Sequence, residues 1–342
     1  MRSRLDQVAE HAGVSRATVS RVLNDKPGVA ESTRAAVLAA VNALGYERPT
    51  MLRGHRLRLV GVVVPDLRNP VFPAFTEVIG GALTQRELTP VICVTQSGGM
   101  SEAATVDMLL AINASGFVFV SGLHAVEKQD LDHYRRIRDH GLPMVAVNGT
   151  VDELSLTTVS TDDLAAVELA VGHLSTLGHQ RIGLAISDDE HVPGHRKFAA
   201  FERLMRERHG VTGNALLVER SMYSIEGGFA AGGRLLERGA TAVICASDVM
   251  ALGVVRAAHR LGLDVPRDVS VIGYDDSTFM SAVSPPITTI RQPVESLGSA
   301  AVGLLGSQLT GAKDRGEEIL FEPELVVRGS TAIAPDRRIA TA

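Results

Sequence analysis

Apolar residues in the first forty-five positions recur at helical spacing and are broken by turn signals. Val8, Ala9 and Ala12 share one face of a first helix, and Val19, Val22 and Leu23 share one face of a second. A tight turn at Gly13-Val14 joins them, and the small side chains of Ala9 and Ala12 let the two helices cross closely. A third helix is predicted from Glu31 to Leu44, with Ala35, Val37, Leu38, Val41 and Leu44 in register and Gly45 at its C′ position. From Leu59 the pattern changes. Apolar runs at 59–64, 90–94, 116–120, 143–147, 181–186, 240–245 and 269–273 predict strands, with amphipathic helical stretches such as 164–177 and 249–261 between them. Alternation of this kind predicts a doubly wound α/β region, and no short repeat or low-complexity stretch interrupts it.

The polar positions give the first module its chemistry. Ser15 sits where an N-cap is wanted. Arg16, Ala17, Ser20 and Arg21 are left outward on the second helix, a face suited to base edges and phosphates in a DNA major groove. Charge divides the chain in the same way. Residues 1–58 hold ten Lys and Arg against five Asp and Glu, whereas the whole chain carries −5, so the body carries −10. A basic head on an acidic body fits a protein that approaches phosphate with one end only.

The rest of the composition mainly excludes. A length of 342 residues suggests two or three domains. Met1-Arg2-Ser3-Arg4 leads into a polar helix with no apolar signal region, and no run approaches membrane length, so a cytoplasmic protein without membrane contact is expected. Cys93 and Cys245 lie in separate strand-like runs and read as buried, reduced thiols. His191 and His195 have i,i+4 spacing, but Pro193 and Gly194 intervene, and no metal site is expected. There is no G-x-S-x-G elbow, no P-loop and no paired acid–base array, since Asp275-Asp276 and Asp188-Asp189-Glu190 read as turn and surface. Neither an enzyme nor a cofactor is expected.

The string from Val8 to Asn24, V-A-x-x-A-G-V-S-x-x-T-V-S-R-V-L-N, resembles the opening of LacI/GalR-family transcriptional repressors. The resemblance continues through Val29 and Thr33-Arg34 to Leu44-Gly45-Tyr46, and more loosely over nearly the whole chain. It implies an all-α helix-turn-helix domain at 1–46, a hinge linker at 47–58, and an effector-binding and dimerisation core at 59–342. That core is similar to the periplasmic binding protein fold, with one lobe at about 59–160 and 290–320 and a second at about 161–289 and 321–342. By the same resemblance Arg16 reads a base edge, Ala17 leaves room for a thymine methyl, and Arg21 reaches base or phosphate, with Ser20 beside them. Ser15, Thr18, Asn24 and Thr33 would position the backbone, and Val29 belongs to the same matched stretch. Leu52 matches the leucine that wedges into a minor-groove step, although the linker is about three residues short when counted from Tyr46. Ala30 stands where the family usually has Ser, removing a cap worth about 0.5–2 kcal/mol.

Motifs in the body match the family one by one. Asp66-Leu67-Arg68-Asn69-Pro70-Val71-Phe72 is similar to its N-P-F-F loop, and Leu177-Gly178-His179-Gln180-Arg181-Ile182 to a structural turn. Ser247-Asp248-Val249-Met250-Ala251-Leu252-Gly253, Val265 to Asp276, and Thr288-Thr289-Ile290-Arg291-Gln292-Pro293 match three further strings. The resemblance implies effector contacts at Asn69, Phe72, Asn148, Lys197, Tyr223, Ser247, Asp275 and Gln292. Carboxylate and amide groups suit the paired hydroxyls of a sugar, and an aromatic suits its ring face. Lys197 falls where many relatives have Arg, which leaves room for an acidic or phosphorylated ligand. The implied partners are a near-palindromic double-stranded operator, a small effector (a carbohydrate, with a nucleobase, a phosphorylated corepressor or no ligand as alternatives) and a second copy of the chain. The tail from Pro335 to Ala342 carries no leucine heptads, so a homodimer without a tetramerising coiled coil is expected.

Overall fold

A computed structural model describes residues 4–23, 28–44, 58–95, 99–187 and 190–335. Asn24, Leu52 and all of the 47–58 linker except Arg58 lie outside the described residues. Contacts divide the chain into two compact units, Met1–Arg58 and Leu59–Ala342.

The first unit is built from α1 (Arg4–His11), α2 (Arg16–Leu23) and α3 (Glu31–Ala43). Gly13 turns the chain between α1 and α2 at φ +65°, a left-handed conformation that glycine adopts without strain. Ser15 then caps α2, its Oγ accepting from the Thr18 amide at 3.1 Å. Val8, Ala9, Val19, Val22, Leu23, Val37, Ala40 and Val41 form one buried cluster, with Ala12, Val14, Val29 and Leu38 packed partly against it. At the head of α3 the Ala30 carbonyl accepts from the Arg34 amide at 2.9 Å.

The second unit alternates strand and helix. It begins β1 (Arg58–Val64), α4 (Val71–Thr84), β2 (Leu88–Val94), α5 (Glu102–Ala111), β3 (Gly116–Val120), α6 (Asp132–Asp139), β4 (Met144–Val147) and β5 (Thr158–Thr161). There follow α7 (Asp163–Thr176), β6 (Ile182–Ile186), α8 (Val192–His209), β7 (Leu217–Arg220), α9 (Ile225–Glu237), β8 (Ala242–Cys245), α10 (Asp248–Arg260) and β9 (Ser270–Asp275). The chain closes with β10 (Thr288–Arg291), α11 (Val294–Leu309), β11 (Glu318–Phe321) and β12 (Glu324–Val326).

Two six-stranded sheets result, ordered β11-β5-β4-β3-β1-β2 and β12-β10-β9-β8-β6-β7. β1–β3, β3–β4, β4–β5, β5–β11, β6–β7, β6–β8, β8–β9 and β9–β10 pair in parallel, and β10 pairs antiparallel with β12. Both faces of the first sheet are covered, which is why its strands read as unbroken apolar runs. Val60, Val62 and Val64 pack with Phe75, Ile79, Leu297 and Val302 on one face, while Val63 packs with Leu109, Phe117 and Phe119 on the other. The second sheet has its own core around Ile182, Leu184, Phe201, Leu235, Val254 and Ile272.

The chain crosses between sheets three times, at Thr161–Asp163, at Arg291–Val294 and at Phe321–Glu324. Two of these crossings are tied directly, the Asp162 amide donating to the Phe321 carbonyl at 2.8 Å. The short strands β5, β7, β11 and β12 carry no clear apolar signal. In β5 (sequence TVST) every residue is buried, and its hydroxyls are all satisfied: Thr158 donates to Leu156 O at 2.8 Å, Ser160 to Glu318 at 2.6 Å and Thr161 to Gln292 at 2.9 Å.

Candidate DNA-reading face and ligand cleft

In the first unit, burial of Val19, Val22 and Leu23 leaves Arg16, Ala17, Ser20 and Arg21 exposed on α2. Thr18 is half-buried, and its hydroxyl lies 2.9 Å from Ser15 Oγ, so that pair fixes the start of the helix. The Arg16 guanidinium sits 3.9 Å from the Asp6 carboxylate. Both groups are exposed, and such a pair contributes too little to prevent Arg16 from swinging to another acceptor. Thr33 is half-buried in the first turn of α3, while Val29 packs against the three-helix core rather than standing free of it. Exposed guanidiniums at both ends of a short capped helix can meet base edges and phosphates together.

In the second unit a cavity of about 710 Å³ opens at the carboxyl ends of strands from both sheets. All eight residues expected from the sequence to contact a ligand line it. This is the position at which open parallel sheets bind ligands, because the loops there are free to diversify over a fixed scaffold.

Asp275 ends β9 at φ +115°, a backbone conformation that disfavours any side chain. Gln292 Nε2 donates to its Oδ1 at 2.7 Å, and Gln292 Oε1 in turn accepts from Thr161, so the amide is fixed in one orientation. Asp275 Oδ2 is buried and has no hydrogen-bond partner among the described residues. Burial, reinforced by the field of Asp248, raises the Asp275 pKa well above the ordinary carboxylate range. Asp248 is itself raised to about 6 by burial, and its oxygens accept from Thr289 Oγ1 and the Ser277 amide, each at 2.6 Å.

Lys197 is buried at 6% exposure, with its ammonium on the Asp163 carboxylate and 4.2 Å from the centroid of the Tyr274 ring. Burial raises the Asp163 pKa, while Lys197 and Arg196 act against that rise. The neighbouring Arg196 is itself held at 2.7 Å through both nitrogens by Glu318. The cationic group predicted to face the ligand is therefore already neutralised by an acid the sequence reading did not pair with it.

The remaining candidates are held more simply. Asn148 stands at φ +68° and donates through Nδ2 to Ser121 Oγ at 3.2 Å. Asn69 is buried, with Oδ1 3.4 Å from the Val71 amide that opens α4. Ser247 caps α10, its Oγ accepting from Met250 at 3.3 Å. Phe72 and Tyr223 are half-buried, packed partly against the cores of the first and second sheets respectively. The structure also brings Glu102, Ser121, Asp163 and His191 to the cavity wall, none of which the sequence motifs assign to a ligand.

Residues 4–49 match the family described as bacterial regulatory proteins, lacI family, and residues 171–331 match a periplasmic binding protein-like domain. The HTH-type transcriptional regulator MalR of Streptomyces coelicolor is 49% identical over 341 residues, covering 99% of each chain. The chain belongs to the LacI family. It is accordingly a helix-turn-helix, DNA-binding transcriptional regulator. The solved lac repressor dimer bound to operator and the anti-inducer ONPF superposes on it with a TM-score of 0.76 at 28% identity, covering 97% of this chain and all of that one. The transcriptional regulator CelR in complex with cellobiose gives 0.72 at 30% identity, covering 96% and 100%. No helix among the described residues is long and apolar enough to cross a membrane.

Proposed function

We propose that this LacI-family regulator is a homodimeric repressor whose hold on a near-palindromic operator is set by an uncharged, polyhydroxylated molecule, a sugar or sugar derivative, bound between two lobes of the core. The lobes are the two sheets with their helices, about 59–160 with 290–320 and about 161–289 with 321–342. The observation that carries the ligand class is the charge state of the cleft. Its buried cation is paired with Asp163, and the open valence on the wall is a carboxylate oxygen of Asp275. Lys197 is already neutralised and burial disfavours negative charge at Asp275, so the wall asks for an uncharged partner: a hydroxyl can exchange hydrogen bonds with Asp275, Asn148, Asn69 and Ser247. The CelR complex with cellobiose and the Enterococcus faecium LacI-family regulator with bound ribose support the same class.

Arg16, with Ala17, Ser20 and Arg21, reads base edges, and Ser15, Thr18 and Thr33 position the backbone on phosphate. Ligand binding shifts operator affinity through a coupling of about 1–3 kcal/mol. Fluorescence anisotropy on a duplex selected by the purified protein, with and without saccharides that raise its melting temperature, tests both halves. Arg16→Ala is expected to weaken the selected duplex about tenfold or more and random duplex far less. Asp275→Asn is expected to keep DNA binding and lose the saccharide response. Equal losses on both duplexes would remove Arg16 from base reading, and an intact response would remove Asp275 from the cleft's ligand set.

A further inference from the structure

A second polar atom in the cavity wall is buried without a partner among the described residues: Nδ1 of His191. His191 immediately precedes α8 on the second-sheet side, yet it is held from the first-sheet side. It forms an antiparallel bridge with Val126, which follows β3. Next to that bridge the Glu127 amide donates to Glu190 O at 2.9 Å, and the Lys128 ammonium meets the Glu190 carboxylate. His195 Nδ1 lies 3.3 Å from Glu127 Oε1. Pro193 also lies close to Gly149, since a methyl group on Gly149 would stand 3.2 Å from its ring. These contacts form a clasp between the segments 126–128 and 190–195, separate from the three chain crossings, and they fix the imidazole against the cavity. Burial, assisted by the charge of Lys197, pushes the His191 pKa down to about 3, so the ring is neutral at physiological pH.

We propose that His191 is a specificity-determining contact of the cleft, its Nδ1 hydrogen-bonding a hydroxyl of the bound ligand while the clasp holds the ring in place. A neutral imidazole offers one donor and one acceptor, which matches the donor-and-acceptor character of an alcohol and brings no positive charge to an anion. With Asp275 Oδ2 it makes a pair of buried polar atoms on the cavity wall that have no hydrogen-bond partner among the described residues. The inference rests on the cleft binding an uncharged polyol and adds the residue that selects among such molecules. A site built to hydrogen-bond a hydroxyl discriminates strongly, because its own buried group is left unmatched when that hydroxyl is missing.

The test is calorimetric titration of the full-length protein with maltose, cellobiose and ribose, comparing the wild type with His191→Phe and Asp275→Asn. Phenylalanine keeps the ring and removes both nitrogens. Support is a loss of about tenfold or more in affinity for the best of the three sugars, with the ligand-free melting temperature of His191→Phe unchanged or raised. A merely structural histidine would instead lower that temperature and leave affinity alone, which overturns the proposal. Binding abolished by Asp275→Asn but within twofold of wild type in His191→Phe keeps the cleft as the sugar site and overturns the role of His191. Absence of binding to all three sugars by the wild type overturns the polyol reading, and this inference with it.

Discussion

Replacing Glu102 by Gln is expected to loosen the first-sheet wall of the cleft by a calculable amount. Glu102 opens α5 at 3% exposure. Its Oε1 accepts from His133 Nε2 at 2.9 Å and from the Tyr134 hydroxyl, and its Oε2 accepts from the Leu123 amide at 3.1 Å. Tyr134 in turn accepts from the His124 amide at 2.7 Å. One carboxylate therefore ties α5, α6 and the loop that follows β3, and that loop runs on into the clasp. The packing leaves no slack, because a methyl group on Gly122 would stand 2.5 Å from Oε2. Burial alone would raise the Glu102 pKa, but His133, the field of His124, Tyr134 and the Leu123 amide together bring it below the ordinary value. Glutamine keeps the volume and removes the charge, turning one acceptor into a donor aimed at donors. Hydrogen bonds to a charged group contribute about 1.5–3 kcal/mol each, and the amide oxygen retains part of them, so about 2–4 kcal/mol should be lost. At about 2–4 °C per kcal/mol the melting temperature should fall by roughly 4–16 °C. The sign with pH follows from the depressed pKa. The stabilisation is present above the unfolded carboxylate value of about 4.3 and disappears as pH falls through the lower folded value. Thermal melts followed by circular dichroism should therefore show the full gap between wild type and Glu102→Gln at pH 7, and a shrinking gap below about pH 4. A gap under 2 °C at pH 7, or one that stays constant down to pH 3.5, would refute this account of the cluster.

Two further sets of substitutions probe the second sheet and its helices. Lys197→Met leaves Asp163 buried without its ammonium, and the loss should be about 3–5 kcal/mol in chemical denaturation; Lys197→Met with Asp163→Leu should recover most of it, and a double variant as unstable as the single one would contradict an ion pair whose energy is mainly mutual. Within α9, Gly228→Ala would put a methyl 2.1 Å from the Met250 carbonyl oxygen of α10 and should destabilise by about 1–3 kcal/mol or more, whereas Gly233→Ala meets nothing within 4 Å and should stabilise by about 0.5–1 kcal/mol; equal effects in parallel melts would deny the close α9–α10 approach.

The parts of this protein legible in its sequence are those with a local cause. The reading helix announces itself through a glycine at positive φ, a serine cap and three apolar positions, all within eleven residues. The long core strands are legible because burial on both faces makes them continuous apolar runs. The cleft residues are legible for a different reason: Asn148, Ser247, Asp275 and Gln292 end or closely follow strands in recognisable motifs, and the sheets then carry those ends to one cavity. What escaped is non-local or lacks an apolar pattern. Lys197 finds Asp163 across 34 positions, and Glu102 finds Tyr134 across 32, with no periodicity to flag either pairing. The hydroxyl-rich strand β5 is buried because distant Glu318 and Gln292 complete its hydrogen bonds, and no window around residue 160 contains that information. Val29 belongs to the motif that marks the reading head, yet its side chain packs against the helical core.

The strained positions of the core bear on how the cleft works. Ser121, Asn148 and Asp275 each follow or end a parallel strand, each has positive φ (47°, 68° and 115°), and each lines the cavity. Backbone of this kind costs about 1–3 kcal/mol per residue and persists only where surrounding contacts over-determine it. Those contacts are visible here: the Ser121 amide donates to Val147 O at 3.0 Å, the Asn148 amide to Val159 O at 2.9 Å, and the Asp275 carboxylate is gripped by Gln292. Each strand end is thus held by the neighbouring strand or by a crossing segment, rather than by its own loop. The side chains that would meet a ligand are therefore oriented by the sheets themselves, and a change in the relation between the sheets must change the relation between those side chains. A ligand that bridges Asn148 on one sheet and Asp275 on the other would bind one arrangement of the sheets better than any other. Differential affinity of that kind is the requirement for shifting a conformational equilibrium.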